Sequence, residues 1–512
     1  MPEEEPESSS ETAEIPWVEG DWSWSIKGGV LTISGTGNMA NYKNTSERPW
    51  EKNVDSISQV VIPSSITGIG SYAFHRFWKM HAVTIPESVT VIGDHAFSNC
   101  GNMTRVTMKS SAEKGGVERI GERAFENCYA LGSVTFSDGL VSIGPQVFNT
   151  CWGLKRVTIP ARVEEIAPQA FIFCKHLTKI EVAQDSPYFK TVDGAVYTAD
   201  GSELVVCPGG RSASLRIPEG VVKIRDGAFS GCYSISGVTI PGSVREIGSR
   251  AFVSCLKLTK LKIPEGVETL GEQVFSSCSH LGSVSLPASL TVIGKGVFSH
   301  CDALSKIEVA ADNPNYKSLG GVLFSKDGTA LIRYPAGKNG ASYTIPEGVT
   351  EIGEYAFYHC GSLGSVTLPD GLTTIGEYAF HYSQKIRSFS LPESLTTIGR
   401  FAFNNCDALT SVTIPGGVAL IETYAFSDCE RLRSVTVSEG VTVIGKNVFS
   451  NCESLSSITL PQTLAKIDSG AFRNCGALKT VSFRGNQDLW SMVTIGESNE
   501  PLTGAKVVFD AS

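Results

Sequence analysis

The chain is poor in charge and has no long apolar run. Of its 512 residues 19% are charged and 41% hydrophobic, and Asp and Glu outnumber Lys and Arg by 52 to 43, for a net charge of -9. That balance leaves no basic stripe to neutralise phosphates, so no nucleic-acid partner is expected. No run of about 18 apolar residues occurs, which argues against a membrane span. The sequence also lacks HExxH, CxxC, GxxxxGK[ST] and GxSxG, and its eight histidines do not fall at ligand spacings with carboxylates or cysteines. No catalytic, cofactor-binding or metal-ligating residue is assigned, and no cofactor is expected. The opening MPEEEPESSSETAEIP carries Glu3, Glu4, Glu5, Glu7, Glu11 and Glu14 but no basic residue, so it lacks the positive start of a signal peptide. Residues 1–16 read as an acidic disordered linker, and an exported protein would have its signal and anchor outside this chain.

What is present is repetition. The word AF or a close variant recurs with its Phe at 74, 97, 125, 148, 171, 229, 252, 275, 298, 357, 380, 403, 426, 449 and 472, mostly 23 residues apart. Aligned on that Phe, segments such as LGSVTLPDGLTTIGEYAFHYS spell one unit. V-T-I alternates with period two, which predicts a short strand with Val and Ile inward and Thr outward. Pro ends it, having no N–H for a further ladder bond. V-T-x-I predicts a second short extended segment. Gly four before Phe, in 11 of the 15 units, suggests a tight corner. A-F-x-x-C places apolar residues three apart, as in one 3₁₀ or helical turn. One unit cannot bury its apolar side alone, whereas stacked units share a core. The expected fold is a β-rich solenoid, a curved superhelical rod of 23-residue coils with N- and C-terminal caps.

Cysteine keeps the same register, three after Phe in 13 of the 15 units, with Phe77 and Ser383 in the other two places and Cys207 alone off the column. Buried free thiols are expected, with a disulfide framework as the competing reading. Two longer units, DSPYFKTVDGAVYTADGSELVVCP and DNPNYKSLGGVLFSKDGTALIRYP, carry Asp200-Gly201 and Asp327-Gly328 between alternating runs, which predicts hairpin inserts near 183–215 and 310–343. Cys207 then corresponds to Tyr334, so its thiol is not expected to be required. An N-terminal cap over 17–63, holding Trp17, Trp22, Trp24 and Trp50, repeats over 64–484 and a C-terminal cap over 485–512 with Trp490 complete the organisation.

The unit IPESVTVIGDHAFSNCGNMTRV and its sister copies closely resemble the BspA-like class of leucine-rich repeats of bacterial surface proteins, from about Val60 to Arg484. The resemblance implies a non-enzymatic surface or secreted protein that binds other macromolecules. Its expected partners are protein ligands of the host matrix or of other microbial surfaces. A glycan-binding module for mucin or dietary polysaccharide is the alternative. The expected location is extracellular or at the cell surface, as a monomer.

With the structural columns subtracted, the varying positions are the candidates for recognition. Outward strand positions are partly basic early, as at Arg105, Arg156, Lys179, Lys260 and Lys306, and later become a hydroxyl carpet that includes Ser411, Thr413, Ser434 and Thr436. The stretch GEYAFYHC, 353–360, looks like a compressed active site, yet its Gly, Ala, Phe and Cys belong to the repeated columns. What that coil adds is aromatic. Two before Phe stand Tyr355, Tyr378, Phe401 and Tyr424, and beside them Tyr358, His359, His381 and Tyr382. These eight are the candidate ligand-binding residues, as an exposed aromatic patch or, in the alternative, as rings that merely stack along the edge.

Overall fold

A computed structural model describes residues 18–111 and 115–509; the expected linker over 1–16 and Trp17 lie outside the described residues. The chain divides into two compact units, Met1–Thr191 and Val192–Ser512. Each is a stack of coils with two parallel ladders.

In the first unit, one ladder runs through Val83, Val106 and Val134, side by side in strands Ala82–Ile85, Arg105–Met108 and Ser133–Thr135. The second passes through Ile69, Ile92, Ile120, Ile143 and Ile166 in two- to four-residue strands. Between the ladders the column rings stack, Phe97 on Phe125 at 5.3 Å and Phe125 on Phe148 at 5.6 Å between centroids. The column starts with Trp50, fully buried, which stacks on Phe74 at 6.0 Å and donates from Nε1 to the Ala73 carbonyl at 2.9 Å. Trp22, Trp24 and Tyr42 pack their edges against it.

The second unit repeats the plan through Leu204, Ile224, Ile247, Leu270 and Ile293, and again through Ile421, Ile444, Ile467 and Ile495. Strand Ser411–Ile414 alternates exposed and buried residues, the period of two read from V-T-I. Ser411, Ser434 and Ser457 line up outward in register, as do Thr413, Thr436 and Thr459. Asp200-Gly201 joins the antiparallel strands Ala195–Thr198 and Glu203–Val206. The second insert has three antiparallel strands, Tyr316–Leu319, Val322–Ser325 and Ala330–Arg333, the first turn made by Gly320-Gly321 and the second by Asp327-Gly328.

The A-F-x-x-C turn has a finer pattern than a 3₁₀ turn. Ala356, Tyr358 and Cys360 donate their N–H groups three residues back, to Gly353, Tyr355 and Phe357 at 3.1–3.2 Å. The alternate N–H groups of Tyr355, Phe357 and His359 instead reach Glu377, Ala379 and His381 of the next coil at 3.0, 2.7 and 2.8 Å. Left-handed residues two before and two after Phe, here Tyr355 at φ 58 and His359 at φ 61, produce that alternation. The corner glycine also differs from expectation. Gly376 has no positive φ; a Cβ there would lie 2.7 Å from the Glu354 nitrogen, so the glycine is needed where one coil's backbone touches the next.

All 14 cysteines are free and buried. They are more than small apolar fillers, because the column thiols point at a carbonyl of the coil before, in most coils that of the column Phe: Cys406 Sγ to Phe380 at 3.4 Å, Cys278 Sγ to Phe252 at 3.1 Å. Ser383 does the same with Oγ, to Phe357 at 2.9 Å. Thiol labelling should therefore find almost no reactive cysteine in the native protein and all 14 after unfolding without reductant. Cys406→Val, which leaves the Phe380 carbonyl with only the Ser383 N–H as donor, should cost about 1 kcal/mol in a urea melt, and Cys406→Ser well under that. Equal costs would remove the hydrogen-bond role.

Candidate functional site

The repeat of the second unit is interrupted at the second insert. The coil built by the second insert reaches the Phe column with Tyr334, which stacks on Phe357 at 5.2 Å and donates its N–H to the Ala356 carbonyl at 2.8 Å. It continues as Tyr334-Pro335-Ala336, so it has no A-F-x-x-C turn of its own. The turns of the Phe298 and Phe357 coils are thereby left to meet through side chains. Tyr358 Oη lies 2.9 Å from His300 Nε2, and His359 Nδ1 lies 2.8 Å from Asp302 Oδ1, pairs nearly 60 residues apart in sequence. Alongside opens a cavity of about 250 Å³, lined among others by Lys295, Ser299, Arg333, Glu354 and Tyr355. Lys295 Nζ pairs with Glu354 Oε2 at 3.1 Å.

The electrostatics argue against the Cys/His reading of GEYAFYHC. Burial pushes the Cys360 thiol up to about 12, and Sγ faces the Tyr334 carbonyl at 3.8 Å. A thiol held protonated is not a nucleophile. His359 is engaged by Asp302, whose carboxyl is held below its usual range first by that hydrogen bond. Burial pushes His381 down to about 4, with His300 and His359 adding repulsion. No group of three His, Cys, Asp or Glu among the described residues is placed to hold a metal ion.

The eight candidate residues do come together, but not as an open patch. Tyr355, Tyr378, Phe401 and Tyr424 form a ladder of near-parallel rings at 4.9, 4.8 and 4.7 Å, half-buried with their faces spent on one another. Two residues must be corrected. Tyr358 and His381 are 7% and 9% exposed, because Tyr358 turns inward to His300 and His381 stacks under it at 5.2 Å. His359 is half-buried, and Tyr382, at 36%, is the most open of the set.

More exposed aromatics sit in the first unit, where sequence reasoning passed over them. Trp78, Tyr129 and Trp152 are 43%, 42% and 37% exposed. Tyr129 and Trp152 lie 4.7 Å apart, and the Lys175 ammonium sits 4.0 Å over the Trp152 ring. The signal was available: all four stand four residues after Phe, a column that turns acidic at Asp302, Asp407, Glu430 and Glu453 in the second unit.

Two parallel ladders, a stacked Phe column and a thiol column define a leucine-rich-repeat solenoid. The chain belongs to the BspA-type leucine-rich-repeat family: the model of the BspA type leucine rich repeat region matches residues 113–192, 211–327, 336–455 and 373–492. No curated protein matches the chain at a significant level. Among solved structures it is similar to a leucine-rich repeat protein from Eubacterium ventriosum, at 25% identity and TM-score 0.42 over 92% of this chain and 89% of that one. It is also similar to a leucine rich cell surface protein from Faecalibacterium prausnitzii, at 26% identity and TM-score 0.42 over 95% and 99%. A leucine-rich repeat protein from Bacteroides ovatus follows at 23% identity and TM-score 0.39 over 92% and 99%. No helix among the described residues is long and apolar enough to cross a membrane.

Proposed function

We propose that this chain is a non-enzymatic interaction module of the cell exterior that binds protein ligands along the aromatic turn edge of its second unit. The observation that carries the reading is where the rings stand. Tyr355, Tyr378, Phe401 and Tyr424 occupy left-handed positions at φ 55–60, the column that in the second unit otherwise holds Gly227, Arg250, Gln273, Gly296, Asn447 and Gly470. A left-handed conformation costs a ringed residue roughly 1 kcal/mol that Gly escapes. The ladder presents ring edges and tyrosine hydroxyls on a preorganised backbone, which suits a protein surface at low entropic cost. Replacing Tyr355, Tyr378 and Tyr424 together by Asn, the residue of the same column at 447, should weaken binding to immobilised extracellular-matrix proteins about 10-fold or more. Unchanged affinity would sink the assignment.

A second reading is favoured by a separate observation. The exposed Tyr129–Trp152 pair with Lys175 overhead is a platform for stacking a sugar ring, so a glycan ligand would engage the first unit. Trp152→Ala should then reduce binding to intact mucin and leave binding to deglycosylated mucin unchanged, while the Asn variants should leave both unchanged.

A further inference from the structure

We propose that the cavity beside Arg333 is a receptor for a carboxylate group. Arg333 ends strand Ala330–Arg333 and is only 4% exposed. Its two terminal nitrogens donate to the carbonyls of Tyr355 and, at 3.2 Å, Tyr358. Its Nε has no hydrogen-bond partner among the described residues. A guanidinium stays charged at any physiological pH, and a buried charge is ordinarily paired.

The first unit contains the same arrangement with the pairing completed. Arg48, 3% exposed, donates from one terminal nitrogen to the carbonyls of Tyr72 and His75 at 3.1 and 2.7 Å, the same two places relative to the column Phe. There Glu51 supplies a carboxylate, accepting from Nε at 3.1 Å and from the other terminal nitrogen. At Arg333 no carboxylate among the described residues accepts a hydrogen bond from the guanidinium, although its charge helps to hold the Asp302 carboxyl down. Among the acids nearby, Glu354 is paired with Lys295 and Asp302 with His359. Arg333 instead lines the cavity.

The rest of that cavity suits the head and body of a small acid. Ser299, 5% exposed, lines it with an Oγ that also lacks a partner among the described residues, a second donor for the other oxygen. Phe298, Leu323 and Ile332 supply apolar wall. Its 250 Å³ corresponds to roughly eight water volumes, room for a compact acid or one acidic side chain. Glu351 and Glu354 on the lining disfavour a dianion such as phosphate, so the geometry points to a monoanionic carboxylate.

The proposal does not rest on the protein-binding reading. Calorimetry on the whole chain at neutral pH would use three probes: benzoate, its neutral isostere benzamide, and N-acetylglutamate α-amide, whose one carboxylate is on a side chain. Binding of benzoate without benzamide is expected; binding of the glutamate amide as well would mean that a partner's acidic side chain can be the source. Because Ser299 Oγ loses no bond on removal, Ser299→Ala should keep the melting temperature and weaken carboxylate binding about 10-fold. Arg333→Gln should abolish binding. Equal binding of benzoate and benzamide, no binding of either carboxylate, or full affinity in Ser299→Ala overturns the proposal, and the last is independent of whether Arg333→Gln folds.

Discussion

Replacing Phe275 by alanine should cost about 3–5 kcal/mol, and the loss should be local. Phe275 is fully buried, stacked on Phe252 at 5.5 Å and on Phe298 at 5.8 Å. Removing the ring takes away its own burial and leaves a cavity that two flat neighbours, each fixed by its own coil, cannot close. Stability in a repeat stack is a sum of coil and neighbour terms, so the damage should stay in adjoining coils. Hydrogen exchange should show lost protection in the turns around Phe252, Phe275 and Phe298, with the coils from Phe403 to Phe472 near wild type. A loss under 1 kcal/mol, or protection falling evenly along the unit, would contradict a spine of nearest-neighbour contacts.

Acid should weaken the second unit from about pH 6.5 downward, through a buried histidine. His381 is neutral in the fold because burial pushes it down to about 4 from the ordinary 6.5, with His300 and His359 opposing its charge and Asp428 alone favouring it. The unfolded chain takes up the proton near 6.5. The contribution of the neutral ring is therefore complete above pH 6.5 and is lost as pH falls toward 4, at about 1.4 kcal/mol per pH unit and roughly 3 kcal/mol in all. Asp302, held below its usual 3.8, adds a loss in the same direction only at still lower pH. His381→Asn, the residue of the same column at Asn404, should flatten the slope of urea midpoint against pH between 6.5 and 4. A slope identical to wild type would place the acid sensitivity elsewhere.

Most of the fold was legible because the repeat states each constraint some fifteen times. Phe, Cys and the V-T-I strand could be read as columns without knowing any contact. Less legible was what a column does when two physical roles coincide. Cysteine reads as apolar filler, and only Ser383 hints that the place wants a donor. Glycine reads as a corner residue, whereas its role is contact between coils. The candidate site was legible as a list of residues and not as a surface, since the stacking of Tyr355, Tyr378, Phe401 and Tyr424 at under 5 Å hides the faces that sequence reasoning counted as exposed. The gap where His300 meets Tyr358 was invisible because it follows from a turn that one coil omits.

The alternation of N–H groups in the A-F-x-x-C turn gives each stack a chemical polarity. Every turn donates forward to the carbonyls of the next, so the opening turn of a stack presents bare acceptors and the closing turn bare donors. The two kinds of end take opposite chemistry. At the start, Trp50 Nε1 and Arg48 bring donors to Ala73, Tyr72 and His75; at the finish, Asn499 Oδ1 accepts from Phe472 N at 2.9 Å. Arg333 repeats the donor end in mid-chain, which makes that coil a fresh start of the stack. A chain stripped both of the segment carrying Arg48 and Trp50 and of the segment carrying Asn499 would expose bare acceptors at one end and bare donors at the other, so its self-association should grow head to tail, and restoring either cap should stop it.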